Sequence, residues 1–103
     1  MEEIHFTWDD KKEKLNRRKH DISFNEAKEI FIDPLNISDL DKRFSDTEER
    51  WVSIGRTKKD KLLIVAHLWI LYESGEEIIR IISARKVTTK EKELYEDFKG
   101  KIY

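Results

Sequence analysis

The hydrophobic and polar positions divide the chain into two regimes, with the change of period after Pro34. Before it, Ile4, Phe6 and Trp8 alternate on one face of "IHFTW", which predicts a short strand. Asp9 then stands at an N-cap position ahead of a charged helix running to about His20. "SFNEAKEIF" predicts a second helix. Ser23 and Glu26 have capping-box spacing, and Phe24, Ala27, Ile30 and Phe31 fall on one side. Asp33-Pro34 stops it, because the residue before a proline is driven out of helical geometry.

Beyond Pro34 the pattern is that of strands. "LNISDL" predicts a short edge strand, followed by the polar loop "DKRFSDTEE". "RWVSIGRT", "KLLIVAHLWILY" and "EIIRIISAR" predict three further strands. The connections "KKD" and "ESGE" are short enough for antiparallel hairpins. Thr88 and Glu91 repeat the capping-box spacing and open a last helix carrying Leu94, Tyr95 and Phe98, with Gly100 as its expected stop. The expected architecture is α+β: an antiparallel meander of three to four strands, two N-terminal helices and one C-terminal helix. It forms a single domain over residues 1–103.

Composition narrows the possible functions. The chain is 42% charged and 38% hydrophobic, so its core is thin, while 11% aromatic residues argue against disorder. A net charge of −1 gives no bulk attraction for a polyanion, so any nucleic-acid contact must come from a local cluster. The absence of cysteine excludes disulfides, thiolate chemistry and cysteine zinc sites, and fits a reducing cytoplasm. "MEEIHFTW" is not a secretory signal, and the apolar run Leu62 to Leu71 is too short to span a bilayer. A cytoplasmic protein with no membrane contact is expected.

Two features carry candidate chemistry. The first predicted helix holds Lys11, Lys12, Lys14, Arg17, Arg18 and Lys19 beside His20, opposed within that run only by Glu13. Such a run is either a solvated face or a surface for phosphates or an acidic partner. The second feature is on the strands. If the hairpins close at "KKD" and "ESGE", Arg50 lies near Leu68 or His67 and the same level reaches Arg80. Glu49, Arg50, His67 and Arg80 then gather toward one end of the sheet. Arg85 falls nearer the other end, beside the last helix. A slip of one residue would reverse every face. Glu49 with Arg80 also reads as an edge ion pair, and His67 alone reads more readily as a hydrogen-bonded core residue than as a catalyst.

An ionised group in a thin core costs several kcal/mol unless it is paired or wet. Two strand arginines therefore point to an open polar groove, and a guanidinium fork matches the oxygens of a phosphodiester. The sequence has no GxGxxG, P-loop or GxSxG motif, and His5, His20 and His67 lack metal-ligand spacing. No cofactor and no metal are expected. An enzyme built from these residues would use acid–base chemistry supported by arginine.

The sequence resembles the BrnT family, ribonuclease toxins of type II toxin–antitoxin pairs with a RelE-like fold. The resemblance is carried by "FTWDDKKEKLNRRKHDISFNEAKEIF", where Phe6, Trp8-Asp9, Lys12, Asn16, Lys19-His20, Phe24, Ala27 and Phe31 match the family pattern. "DPL" from Asp33, "ERWVSIG" from Glu49 and "RIISARKVTTKEKELYE" from Arg80 follow in order. Asp21 departs from the family's usual glycine, at a position that calls for a positive φ. Val87 replaces a smaller residue and is expected only to adjust the packing of the last helix.

The resemblance implies an endoribonuclease that inhibits translation and growth. A ribose 2′-hydroxyl attacks its own neighbouring phosphate without a metal, so RNA is the substrate and DNA is inert. It also implies a hetero-oligomer with a BrnA-like ribbon-helix-helix antitoxin, with DNA contacted only through that complex. The reaction needs a base, cations for the pentavalent phosphorus and a proton for the leaving oxygen. On those needs Arg80 and Arg85 stabilise the phosphate, with Arg50 as a third cation. Glu49 or His67 carries the proton, His20 is the other imidazole candidate, and Lys12 and Lys19 hold RNA beside it. The alternatives are a non-catalytic module that engages an acidic protein through its basic helix and sheet edge, and a free-standing DNA-binding protein. The second lacks any helix-turn-helix or ribbon-helix-helix pattern.

Overall fold

A strand opens the chain, β1 (Ile4–Thr7), and Asp9 ends the extended run by accepting the backbone N–H groups of Lys11 and Lys12 at 2.8 and 3.4 Å. That cap starts α1 (Asp10–His20). The computed structural model describes residues 3–44 and 48–102. Asp21 closes α1 in the left-handed conformation, φ 57°, with its N–H on the Arg17 carbonyl. The positive φ expected from the resemblance is therefore present. A Cβ in that region is costly, so Asp21→Gly is expected to stabilise the fold by about 0.5–1 kcal/mol, read as a raised urea midpoint.

The second helix is shorter than its pattern suggests. α2 (Phe24–Ala27) begins where Ser23 Oγ accepts the Glu26 N–H at 3.1 Å, and it tightens at once into a 3-10 segment, Lys28–Ile32. The reciprocal half of the capping box is absent. Glu26 instead pairs with Lys61 at 3.1 Å, and Glu13 accepts the Phe24 N–H. Asp33 is extended ahead of Pro34, as the sequence dictates.

Four strands follow: β2 (Ile37–Leu40), β3 (Arg50–Arg56), β4 (Leu62–Leu71) and β5 (Glu77–Lys86). They form the expected antiparallel meander, but β1 joins the far side of β5 in parallel, giving the order β1-β5-β4-β3-β2. The sheet is thus mixed and five-stranded, not purely antiparallel with three to four strands. Alternation within "IHFTW" reports which face is buried, and it carries no information about neighbour or direction. Between β2 and β3, Lys42–Phe44 makes a 3-10 turn, and residues 45–47 of the expected polar loop lie outside the described residues.

α3 (Thr89–Ile102) opens with the complete box: Thr88 Oγ1 accepts the Glu91 N–H at 3.2 Å, and Glu91 accepts the Thr88 N–H at 2.8 Å. It runs past Gly100, which therefore does not stop it. A glycine inside a helix costs about 1 kcal/mol, which is not enough to end one.

The core lies between one sheet face and the α1–α2 layer, around Ile22, Phe24, Ala27, Ile30, Leu63, Val65, Ile79, Ile81 and Ala84. Trp8 meets Phe24 edge-on, and Phe6 packs on Phe31. Gly55 lets the 3-10 segment approach β3, since a Cβ there would stand 2.8 Å from the Ile30 carbonyl oxygen. α1 buries a single residue, Asn16. Its amide takes the place of a missing strand on β5. Oδ1 accepts the Ala84 N–H at 3.0 Å, while Nδ2 donates to the carbonyls of Ala84 and Ile22 at 2.9 and 3.0 Å.

The opposite sheet face is covered at one end by α3. Tyr95 is buried there and donates to Asp33 at 2.7 Å, and Arg56 lies 5.5 Å over its ring while reaching Glu96 at 3.2 Å. Asp33 also accepts the N–H groups of Leu35 and Arg56, so "DPL" ties the helix layer, β3 and α3 together. The rest of this face, beyond α3, is the surface on which the arginines stand.

Candidate active site

The tight β3–β4 and β4–β5 hairpins set one register, in which Arg50 faces Leu68 and Leu68 faces Arg80. Thr7 of β1 completes the row beside Arg80. Residues in one cross-strand row share a face, so Arg50 and Arg80 flank Leu68 from strands roughly 10 Å apart. Half-buried Val52, Ala66 and Leu68 lie between and beside them. The floor is therefore apolar with arginines at its sides, where the sequence suggested a polar groove.

Arg85 reaches this face through an irregularity. Ala66 pairs with Ser83 and His67 with Ile81, leaving Ile82 as an extra residue in β5. Five positions apart on a regular strand, Arg80 and Arg85 would face opposite ways. The bulge restores them to one face, with Arg85 opposite Ile64.

The arginines differ in how they are held. Arg80 is exposed and, among the described residues, makes no hydrogen bond or ion pair; Asp9 is the carboxylate that feels its charge. The Lys11 and Lys12 N–H groups hold the Asp9 carboxyl below its usual range, and the Lys12 and Arg80 charges add to this. Arg50 is half-buried and engages Glu48, with Nε at 3.0 Å. Arg85 is clamped by Glu91 through two bonds of 2.8 and 2.9 Å. The Arg85 hydrogen bonds hold Glu91 below the ordinary carboxylate range, and Arg85 is raised in turn. Of the two arginines expected to project freely, Arg80 does so and Arg85 is committed to α3.

Arg43 is a cation that sequence reading overlooked. Its Nε and Nη2 grip buried Asp41 at 3.0 and 2.8 Å, which pulls the Asp41 carboxyl down. Its charge also acts on Arg85. A lone arginine in a polar loop gives no periodic signal, so only the fold brings it here.

His67 lies at the same end of the sheet but on the other face, fully buried under the helix layer with Phe31 edge-on at 4.9 Å. Its Nδ1 donates to the Leu68 carbonyl at 3.1 Å. Nε2 is therefore the acceptor, taking the Ser53 hydroxyl at 2.7 Å, and Ser53 meets Ser38 at 2.6 Å. This chain ties β2, β3 and β4 together. Burial pushes the imidazole down from 6.5 to about 4.

Because the folded value is the lower one, the unfolded chain binds the extra proton below its own pKa. His67's contribution to stability is expected to be complete above about pH 6.5 and to fall toward pH 4, by about 3 kcal/mol. His67→Gln is expected to flatten that slope, checked by urea unfolding at pH 7 and pH 5.

Glu49 is exposed just before β3 and makes no ion pair with Arg80 among the described residues. Lys12 and Lys19 are exposed on α1, four residues before and three after Asn16, so they share the side of the helix turned to β5. Lys12 joins Arg80 near Asp9, whereas Lys19 and half-buried His20 lie roughly 10 Å further along the axis. Among the described residues no three acidic or histidine side chains converge as a metal site, and no helix is long and apolar enough to cross a membrane.

Against known proteins, the family model described as "Ribonuclease toxin, BrnT, of type II toxin-antitoxin system" matches residues 8–91. The chain belongs to the BrnT family. Its fold is similar to the crystal structure of the Brucella abortus ribonuclease toxin BrnT, with TM-score 0.60 and 19% identity over 84% of this chain and 99% of that one. At that identity the likeness is one of fold. No curated protein matches the chain significantly. Membership in the BrnT family makes the protein a ribonuclease toxin of a type II system, a class defined by an RNA substrate and an antitoxin partner.

Proposed function

We propose that this BrnT protein cleaves RNA on the open sheet face by a metal-independent, RelE-like reaction. The ribose 2′ oxygen forms a bond to the adjacent phosphorus as the 5′ oxygen leaves. The 2′ proton passes to a base, and a proton is returned to the leaving oxygen. Arg80 is the principal cation for the phosphorane, and Arg50 lies two strands away for a neighbouring phosphate. Lys12, and beyond it Lys19 and His20, continue the cationic track along α1.

Glu49, exposed beside Arg50, is the favoured proton carrier. We assign Arg85 to holding α3 through Glu91, and His67 to fixing the strand register. A BrnA-like ribbon-helix-helix antitoxin neutralises the enzyme, which acts in the cytoplasm to stop translation and growth, and DNA is met only through the complex.

The observation that supports this reading is Arg80: an exposed guanidinium with no hydrogen bond or ion pair among the described residues, in one row with Arg50. The test is an RNA oligonucleotide compared with its copy bearing a single 2′-deoxy nucleotide at the cleaved position, both in EDTA. Cleavage of the first alone, yielding 2′,3′-cyclic phosphate and 5′-hydroxyl ends, is expected. Equal cleavage of both would end the proposal.

A further inference from the structure

Four consecutive large apolar side chains, Trp69, Ile70, Leu71 and Tyr72, are exposed at the end of β4. Successive side chains on a strand point to opposite faces, so this hairpin end is apolar on both sides. Ile70 and Tyr72 fall on the arginine face. Ile70 pairs with Ile78, one step beyond the Leu68–Arg80 pair. Two residues along a strand span about 7 Å, so anything seated on Ile70 adjoins the Arg80 guanidinium.

The surroundings of this patch are anionic. The turn carries Glu73 and Glu76, Glu77 opens β5, and Glu3 lies beside them through the Glu77 N–H bond to its carbonyl at 2.9 Å. Among the described residues none of the four pairs with a lysine or arginine; Glu3 has only His5, and Glu77 accepts the Trp69 indole N–H. A water-facing run of this kind marks a docking surface. The carboxylates repel RNA phosphates, and they would face one another across a symmetric contact with a second copy. They complement a protein segment that sets lysine or arginine beside an apolar row.

We infer that the antitoxin docks such a segment on the Ile70–Tyr72 hairpin end and neutralises the toxin by covering Arg80. The inference rests on the ribonuclease reading above for what is being covered. The docking itself is measured separately.

The test uses the cognate antitoxin of the type II pair, with Ile70→Lys and the double variant Glu73→Lys/Glu76→Lys, whose two sites are exposed in the turn. Ile32→Lys, at an exposed position in the 3-10 segment, is the control. Each hairpin variant is expected to weaken antitoxin affinity by about 30-fold or more, the size of an interface hot spot. Free-toxin cleavage of RNA should stay unchanged, and the control should bind normally.

Wild-type affinity in both hairpin variants overturns the inference. So does parallel loss of RNA cleavage in folded protein, which would make the tip an RNA surface, or loss of a toxin dimer in sedimentation, which would make it a self-contact. Full activity of Arg80→Ala would remove Arg80 from the mechanism, and with it the reason for covering it, while leaving the affinity result standing.

Discussion

Arg80→Ala is expected to reduce single-turnover RNA cleavage by about 100–1000-fold, the loss of roughly 3–4 kcal/mol of transition-state stabilisation that one preorganised donor provides. The effect should be catalytic because Arg80 is exposed and holds nothing else in place among the described residues. Thermal unfolding of the variant should therefore overlay the wild type. Arg80→Lys keeps the charge but loses the fork, so it should recover only part of the rate. Arg85→Ala should behave in the opposite way. It releases the two Glu91 bonds, so unfolding shifts first and cleavage falls only as far as α3 loosens. Full activity in a folded Arg80→Ala enzyme would remove the open face from the mechanism.

The largest structural effect is expected at Asn16. Asn16→Leu keeps the volume close to native but strands the Ala84 N–H and the carbonyls of Ala84 and Ile22, all bonded to the amide in the native fold. Each buried polar group left unpaired costs about 1–3 kcal/mol, so a loss of about 3–5 kcal/mol is expected. For a domain of this size that lowers the melting temperature by roughly 15 °C or more. Asn16→Asp should fare no better, because a carboxylate would then face two carbonyl oxygens where Nδ2 now donates. Chemical denaturation followed by circular dichroism decides the matter, with exposed Lys14→Ala as a control near zero. The same contact gives Asn16 its structural role: it continues the β5 edge where β1 has ended.

Much of the cross-strand row was legible beforehand. Hairpin turns as short as "KKD" and "ESGE" leave little choice of register, so counting brings Arg50 to Leu68 or His67 and on to Arg80, and the structure selects Leu68. Helix starts were legible for a local reason too: Asp9, Ser23 and Thr88 each bond an N–H two or three residues on. The face of His67 was not legible, because alternation fixes relative sides and leaves open which side the helices cover. Glu49 and Arg80 stand at the same end of the sheet but stay unpaired. Glu48, one residue nearer the loop, is the carboxylate that meets Arg50.

By itself, then, the sequence determined the order of the segments, the helix starts, the register of the meander up to the β5 bulge and the family, because each depends on contacts a few residues long or on side-chain period. Tertiary structure alone decided that β1 runs parallel beside β5, that a bulge at Ile82 turns Arg80 and Arg85 to one face, and that Glu91 claims Arg85 while Arg80 stays open. Those outcomes turn on which distant groups meet once the layers pack. A hydrogen bond from Asn16 to Ala84, 68 positions away, leaves no trace in the local pattern of either.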